Sequence, residues 1–267
     1  MRHRGRRLPQ PTPYAGQLGL DVGGTRPRRV ASREEVLGST DFRALTEREH
    51  LLDIEALMRR FARRLRLLRL RREARARHGR RLDLPATIRR RSRLVLLIDV
   101  SRSMAPYAFF YLRLARALGA ELADVHSFIF HTRVTAVSQA LHDPDPWRAQ
   151  ERLHLIAQGW AGGTRIGDSL AQFEREHAPR LVHSRTALVV MSDGYDTGEP
   201  ARLAEALARL RRRARSVVWL NPLASRPGWA PVSQGMQAAL PHLDLLAAGA
   251  DLASVARVLP ELLDALR

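Results

Sequence analysis

The chain has 267 residues, 45% of them apolar, with no cysteine, no lysine and a formal charge of +18 at pH 7. That length allows one large domain or a domain with an extension, and the apolar share is ordinary for a globular protein with a core. The missing cysteines exclude a disulfide framework, a thiolate zinc site and a cysteine nucleophile, and the missing lysines exclude a Walker A phosphate loop.

The charge is uneven. Residues 1–93 carry 26 Arg against 10 acidic residues, whereas 94–267 carry 19 against 17. A basic front part therefore precedes a nearly neutral back part. The N-terminus MRHRGRRLPQPTP is followed by no apolar segment of the kind a secretory signal needs. No run approaches the roughly 18 apolar residues that span a bilayer. A cytoplasmic protein without a transmembrane segment is expected.

Residues 1–40, rich in Pro, Gly and Arg, read as an irregular basic arm. Within it, LGLDVGGT (18–25) resembles the phosphate-binding opening of sugar-kinase-like ATPases. Arg26-Pro27-Arg28-Arg29 then stands where that fold continues a strand, so phosphate binding is not expected there. A helical N-terminal region is expected over 41–93. Thr46-Glu47-Arg48-Glu49 fits a capping box, and Ile54, Leu57, Met58, Phe61, Leu65 and Leu68 recur at helical spacing. Gly79 is its expected stop. The flanking Arg59, Arg60, Arg63, Arg64, Arg66 and Arg69 admit two readings: a solvated face over a buried stripe, or a docking surface for an anionic partner.

From Leu94 the pattern changes to short apolar runs alternating with helical stretches. LVLLI (94–98), VHSFIF (125–130), RVTAV (133–137), TALVVMS (186–192), SVVWL (216–220) and HLDLLA (242–247) read as strands. Helices are expected near 105–122, 147–157, 166–177, 200–213 and 251–265, with an irregular segment over 221–241. This alternation predicts an α/β fold: a doubly wound, mostly parallel sheet over 94–267, preceded by the Arg-rich helical extension.

Ligands of such sheets bind beyond the carboxyl ends of the strands. Three polar clusters fall there. Asp99-Val100-Ser101-Arg102-Ser103 ends the first strand, Gly162-Gly163-Thr164 opens a helix, and Ser192-Asp193-Gly194 ends the strand 186–192. Asp99, Ser101, Ser103, Thr164 and Asp193 offer two carboxylates and three hydroxyls. These hard oxygen donors suit Mg²⁺ or Mn²⁺ and not Zn²⁺. So few charges would leave the metal able to accept a carboxylate from another molecule. Asp196 is read as a turn or helix-start residue, with a sixth metal ligand as the alternative, and Trp160 as either a rim or a core residue. His126, His131 and His154 lack ligand spacing. No residue near the metal ligands supplies a separate general base or nucleophile, so no enzyme is expected.

The set D-x-S-x-S, distant Thr and distant Asp resembles the metal-ion-dependent adhesion site of the von Willebrand factor A (VWA) family. SFIFHTRVTAVSQAL, WAGGTRIGDSL, VVMSDGYDTGEP, ARLRRRARSVVWLNPL and GMQAALPHLD look like its CoxE-like branch, as does the helical stretch 31–93 with RRLDLPATIRR. The resemblance implies a Rossmann-like VWA domain and a metal held by Ser101, Ser103 and Thr164, with Asp99 and Asp193 bound directly or through water. It also implies a protein-interaction adaptor working with a MoxR-type AAA+ ATPase in maturing a metalloenzyme such as a carbon monoxide dehydrogenase-type molybdenum hydroxylase. The client would offer an Asp or Glu to the metal. Two positions depart from the pattern: Arg102 and His131 stand where Gly is expected. The alternative reading is an RNA-associated VWA protein using its basic front part for phosphates.

Overall fold

Arg93–Asp99 forms the strand β1 at the middle of a six-stranded sheet. Its residues from Leu94 onward are all buried, which is why the run is apolar on both faces. This computed structural model describes residues 32–45, 48–73, 92–141 and 163–265. The other strands are β2 (Val125–Phe130), β3 (Val134–Ala136), β4 (Thr186–Met191), β5 (Ser216–Asn221) and β6 (Leu245–Ala248). Their order is β3-β2-β1-β4-β5-β6, parallel throughout except for the β2–β3 pair, which is antiparallel. The doubly wound, mostly parallel sheet expected from the sequence is the fold observed.

The helices are α1 (Arg33–Ser39), α2 (Arg48–Glu73), α3 (Ala105–Glu121), α4 (Ser138–Leu141), α5 (Ile166–Glu176), α6 (Ala178–Leu181), α7 (Pro200–Arg213), α8 (Gln234–Ala239) and α9 (Leu252–Ala265). Alternate strand residues face two cores. Leu94, Leu96, Ile98, Val189, Met191 and Leu220 pack with α2, α3 and α9. Val95, Leu97, Leu188, Val190 and Trp219 pack with α5, α7 and α8.

The N-terminal helices share the first core. Ile54, Met58, Ala62 and Leu65 of α2 are buried in it, on the spacing read from the sequence. Beside that stripe Glu55 is clamped by Arg113 at 2.6 Å and Arg116 at 3.4 Å, fixing α2 to α3 by charge as well as by apolar area. An irregular arm is expected over 1–40, but its described part departs from that expectation. Residues 33–39 are helical because Ser32 and Glu35 form a reciprocal capping box and Leu37 is buried. The following 3₁₀ turn, Phe42–Ala44, inserts Phe42 against Phe110 with ring centroids 4.7 Å apart, and the Phe42 N–H donates to the Ala250 carbonyl at 2.8 Å.

The segment 221–241, expected to be irregular, contains two 3₁₀ turns, Pro222–Ser225 and Leu240–His242, and the helix α8, capped by the Ser233 hydroxyl. The capping box at Thr46, the helix stop at Gly79, the helix near 147–157, His154 and Trp160 lie outside the described residues. No described helix is long and apolar enough to cross a membrane.

Candidate metal centre

The strand order reverses direction between β1 and β4, the place where open α/β sheets form a crevice. Asp99 is the last residue of β1, and Ser192-Asp193 follow β4 directly. Adjacent strands are about 4.8 Å apart, so the first and third polar clusters meet because the sheet is wound in this order.

Asp99 is fully buried and its two oxygens are held separately. Oδ1 accepts the Ser101 N–H at 2.8 Å, and Oδ2 accepts the Ser192 hydroxyl at 2.7 Å. Burial pushes its pKa up to about 7, against the hydrogen bonds from Ser192 and Ser101, and the charge of Asp193 pushes in the same direction as burial. The groups acting on this carboxyl are thus hydroxyls, a backbone N–H and a second carboxylate. The Ser101 and Ser103 hydroxyls lie 3.3 Å apart at the entry to α3, Ser101 buried and Ser103 exposed.

Asp193 is also buried; its Oδ1 accepts the Tyr195 N–H at 3.1 Å and its carbonyl accepts Asn221 Nδ2–H at 2.9 Å. Ser192 is fixed from three sides. Its carbonyl accepts the Trp219 indole N–H at 2.8 Å, and its hydroxyl accepts the Gly194 N–H at 3.1 Å while donating to Asp99. Gly194 has φ +79°, and a side chain there would collide with Met236 as well as strain the backbone.

Thr164, 7% exposed, reaches the same sheet end through its backbone. Its carbonyl accepts both the N–H and the hydroxyl of Thr197, at 2.9 and 2.8 Å, and the next N–H, of Arg165, donates to the His131 carbonyl beyond β2 at 2.9 Å. Asp196 caps the start of α5, as the sequence suggested. Its carboxylate accepts the N–H groups of Ile166 at 3.0 Å, Gly167 at 2.9 Å and Gly198 at 2.9 Å. Gly163 is required because a Cβ there would meet the Thr197 side chain.

Asp99, Ser101, Ser103 and Asp193 are therefore gathered at two neighbouring strand ends, and Thr164 is anchored at the same edge from α5. His131 is buried and its pKa is lowered by burial; its carbonyl carries the structural contact. Sequence reading named Ser192 within a polar cluster without giving it a role and passed over Asn221; these two side chains bind the ligand candidates from behind. The donor set fits a small hard cation: all oxygen, with two carboxylates close enough to repel each other. Among the described residues no cluster of three or more His, Cys, Asp or Glu offers a competing metal site.

An open, mostly parallel sheet in this order, with a polar crevice where the winding reverses, defines a VWA-type domain. The sequence profile of the VWA domain containing CoxE-like proteins matches residues 88–255, and the chain belongs to that family. No curated protein matches the sequence. Among solved structures, the conserved hypothetical protein BatB from Bacteroides thetaiotaomicron is similar at 16% identity and TM-score 0.45, covering 66% of this chain and 98% of its own. An aerotolerance-related membrane protein from Bacteroides fragilis is similar at 14% identity and TM-score 0.43, covering 65% and 99%. Proximal thread matrix protein 1 from the mussel byssus is similar at 14% identity and TM-score 0.42, covering 65% and 47%.

Proposed function

We propose that this protein is a metal-dependent protein-interaction adaptor and not an enzyme. Asp99, Ser101, Ser103, Thr164 and Asp193 would hold Mg²⁺ or Mn²⁺ as an adhesion site. The observation that carries this reading is the buried Asp99 carboxylate, which faces a second carboxylate and is oriented by two hydrogen bonds. Such a group is costly as a carboxylate unless a cation or a proton joins it. When bound, a divalent ion would supply an electrophilic centre for an Asp or Glu side chain of a partner. The chain itself orients the oxygens. Ser192 and the Ser101 N–H fix the Asp99 carboxylate, the Tyr195 N–H fixes that of Asp193, and Asp196 fixes the segment carrying Thr164.

Family membership suggests the wider setting: a cytoplasmic adaptor working with a MoxR-type AAA+ ATPase, presenting a metalloenzyme precursor such as a carbon monoxide dehydrogenase-type molybdenum hydroxylase for remodelling. The alternative, RNA binding through the basic front part, draws less support from α2. Arg59 pairs with Glu55, Arg60 with Glu34, and Arg63 and Arg66 share Glu121, so part of that charge is offset within the fold. Affinity purification of the full chain with Mg²⁺ and with EDTA tests the proposal. A specific protein partner captured only with Mg²⁺, and lost with Ser101→Ala plus Ser103→Ala, is expected. Capture that survives EDTA but disappears with salt alone would overturn it.

A further inference from the structure

The large apolar side chains left exposed among the described residues include Val36, Leu52 and Leu67 on the N-terminal helices. The other two, Tyr195 at 59% and Val232 at 79%, lie on two segments that a hydrogen bond ties together, the Tyr195 segment next to Asp193. The link between them is direct. Tyr195 follows Gly194, and the Gly194 carbonyl accepts the hydroxyl of Ser233, the residue after Val232, at 3.1 Å. Both backbones are pinned. The Tyr195 N–H is bound to Asp193, and the neighbouring Asp196 is bound to α5. The Val232 N–H donates to the Ala230 carbonyl at 2.8 Å, and Ser233 caps α8. A phenol and an isopropyl group are thus exposed to water on two hydrogen-bonded backbone segments, the phenol's next to Asp193.

Arg102 stands exposed between Ser101 and Ser103, in the loop that follows β1. It forms no ion pair with a carboxylate among the described residues, unlike Arg59, Arg60, Arg63 and Arg66 of α2. The β1–α3 loop therefore presents a guanidinium, and the segment after β4 presents an exposed Tyr, with Val232 on the segment hydrogen-bonded to it. Isolated exposed apolar residues mean little. An exposed Tyr on a fixed backbone, with an aliphatic group on the segment tied to it, is the composition of a binding hot spot at the edge of a polar crevice, because Tyr buries large area at small entropic cost.

We infer that this rim recognises a short acidic–apolar segment of a partner protein: one carboxylate at the metal, a large apolar side chain on Tyr195 and Val232, and a second carboxylate on Arg102. The inference rests on the adhesion reading above and adds what distinguishes this chain's partner from any acidic surface. Tyr195 and Val232 supply apolar area, and Arg102 selects for a segment with more than one negative charge.

The test uses the full chain, immobilised with Mg²⁺, to select phage displaying short random-sequence peptides, with EDTA as eluant. EDTA-released peptides should be enriched in an Asp or Glu with a large apolar residue close by and a second acidic residue. Tyr195→Ala with Val232→Ser should lose the apolar preference and weaken a selected synthetic peptide by about tenfold. Arg102→Glu should lose the second acidic residue and reduce the salt dependence of binding. All three side chains are exposed, and circular dichroism checks that each variant is folded. If the variants select the same peptides with the same affinity, the rim is idle and the inference falls while the metal site stands. If EDTA releases no peptide from the unaltered chain, the adhesion reading fails and takes the inference with it.

Discussion

The hydroxyl of Ser192 donates to Oδ2 of Asp99 at 2.7 Å, joining the end of β4 to the end of β1 inside the protein. Both side chains are fully buried, and the same Ser192 oxygen accepts the Gly194 N–H. The contact therefore sets two things at once: the direction of the Asp99 carboxylate and the turn that carries Asp193. Ser192→Ala should leave one oxygen of a buried carboxyl without a donor and one N–H without an acceptor. A loss of about 1–3 kcal/mol is expected in urea unfolding. Unchanged stability would mean the bond is not formed in solution.

Phe42 tests whether the N-terminal segment belongs to the same folding unit as the sheet. It is 1% exposed, stacked on Phe110 and edge-on to Tyr111. Phe42→Ala should destabilise the whole chain by about 3–5 kcal/mol in one cooperative transition. A separate early transition, with the sheet unfolding as before, would show that residues 33–65 are an independent layer.

Asp196 holds three backbone N–H groups, two of them at the start of α5. Asp196→Ala should cost about 1–2 kcal/mol through the lost cap. It should also weaken metal binding, because the α5 start positions Thr164. An unchanged metal affinity would place Thr164 outside the ligand set.

His177 packs on Phe128 at 4.8 Å and Phe173 at 5.9 Å between ring centroids. Burial lowers its pKa below the ordinary value, with the neighbouring Glu176 acting the other way. The unfolded chain then takes up a proton more readily than the folded one as pH falls below about 6.5. Stability from this group is complete above that pH and is lost as pH falls through the folded value. This group lowers the melting temperature as pH falls across that window, and His177→Phe should remove its contribution. His131 acts in the same direction, and Asp99, whose pKa is raised, acts against both. An identical slope in the variant would contradict the assignment.

The strands were legible in the sequence because each is a short apolar run ending in polar residues, and VHSFIF and SVVWL lie almost wholly within observed strands. The three polar clusters were legible as strand-end and helix-start residues for the same reason. What was not legible depended on contacts between distant segments. Ser32-x-x-Glu35 is a capping signal, but seven residues amid Arg, Pro and Gly become a helix only because Leu37 finds the α2–α9 surface. Phe42 carries no signal of its own in the sequence; its place depends on Phe110, on which it stacks. Ser192 could have been suspected from S-D-G at a strand end, but its role appears only when β4 lies beside β1. The short helix α8 was hidden because Gly235 lowers its propensity, although Ser233 marks its start.

The account stands or falls on whether Asp99, Ser101, Ser103, Thr164 and Asp193 hold one divalent ion. Isothermal titration of the metal-free chain with Mg²⁺ and with Mn²⁺, repeated on Asp99→Ala, measures this directly. The account predicts one ion per chain for the unaltered protein and no measurable binding by Asp99→Ala, with circular dichroism showing that the variant is folded. Equal binding by the two proteins would contradict it.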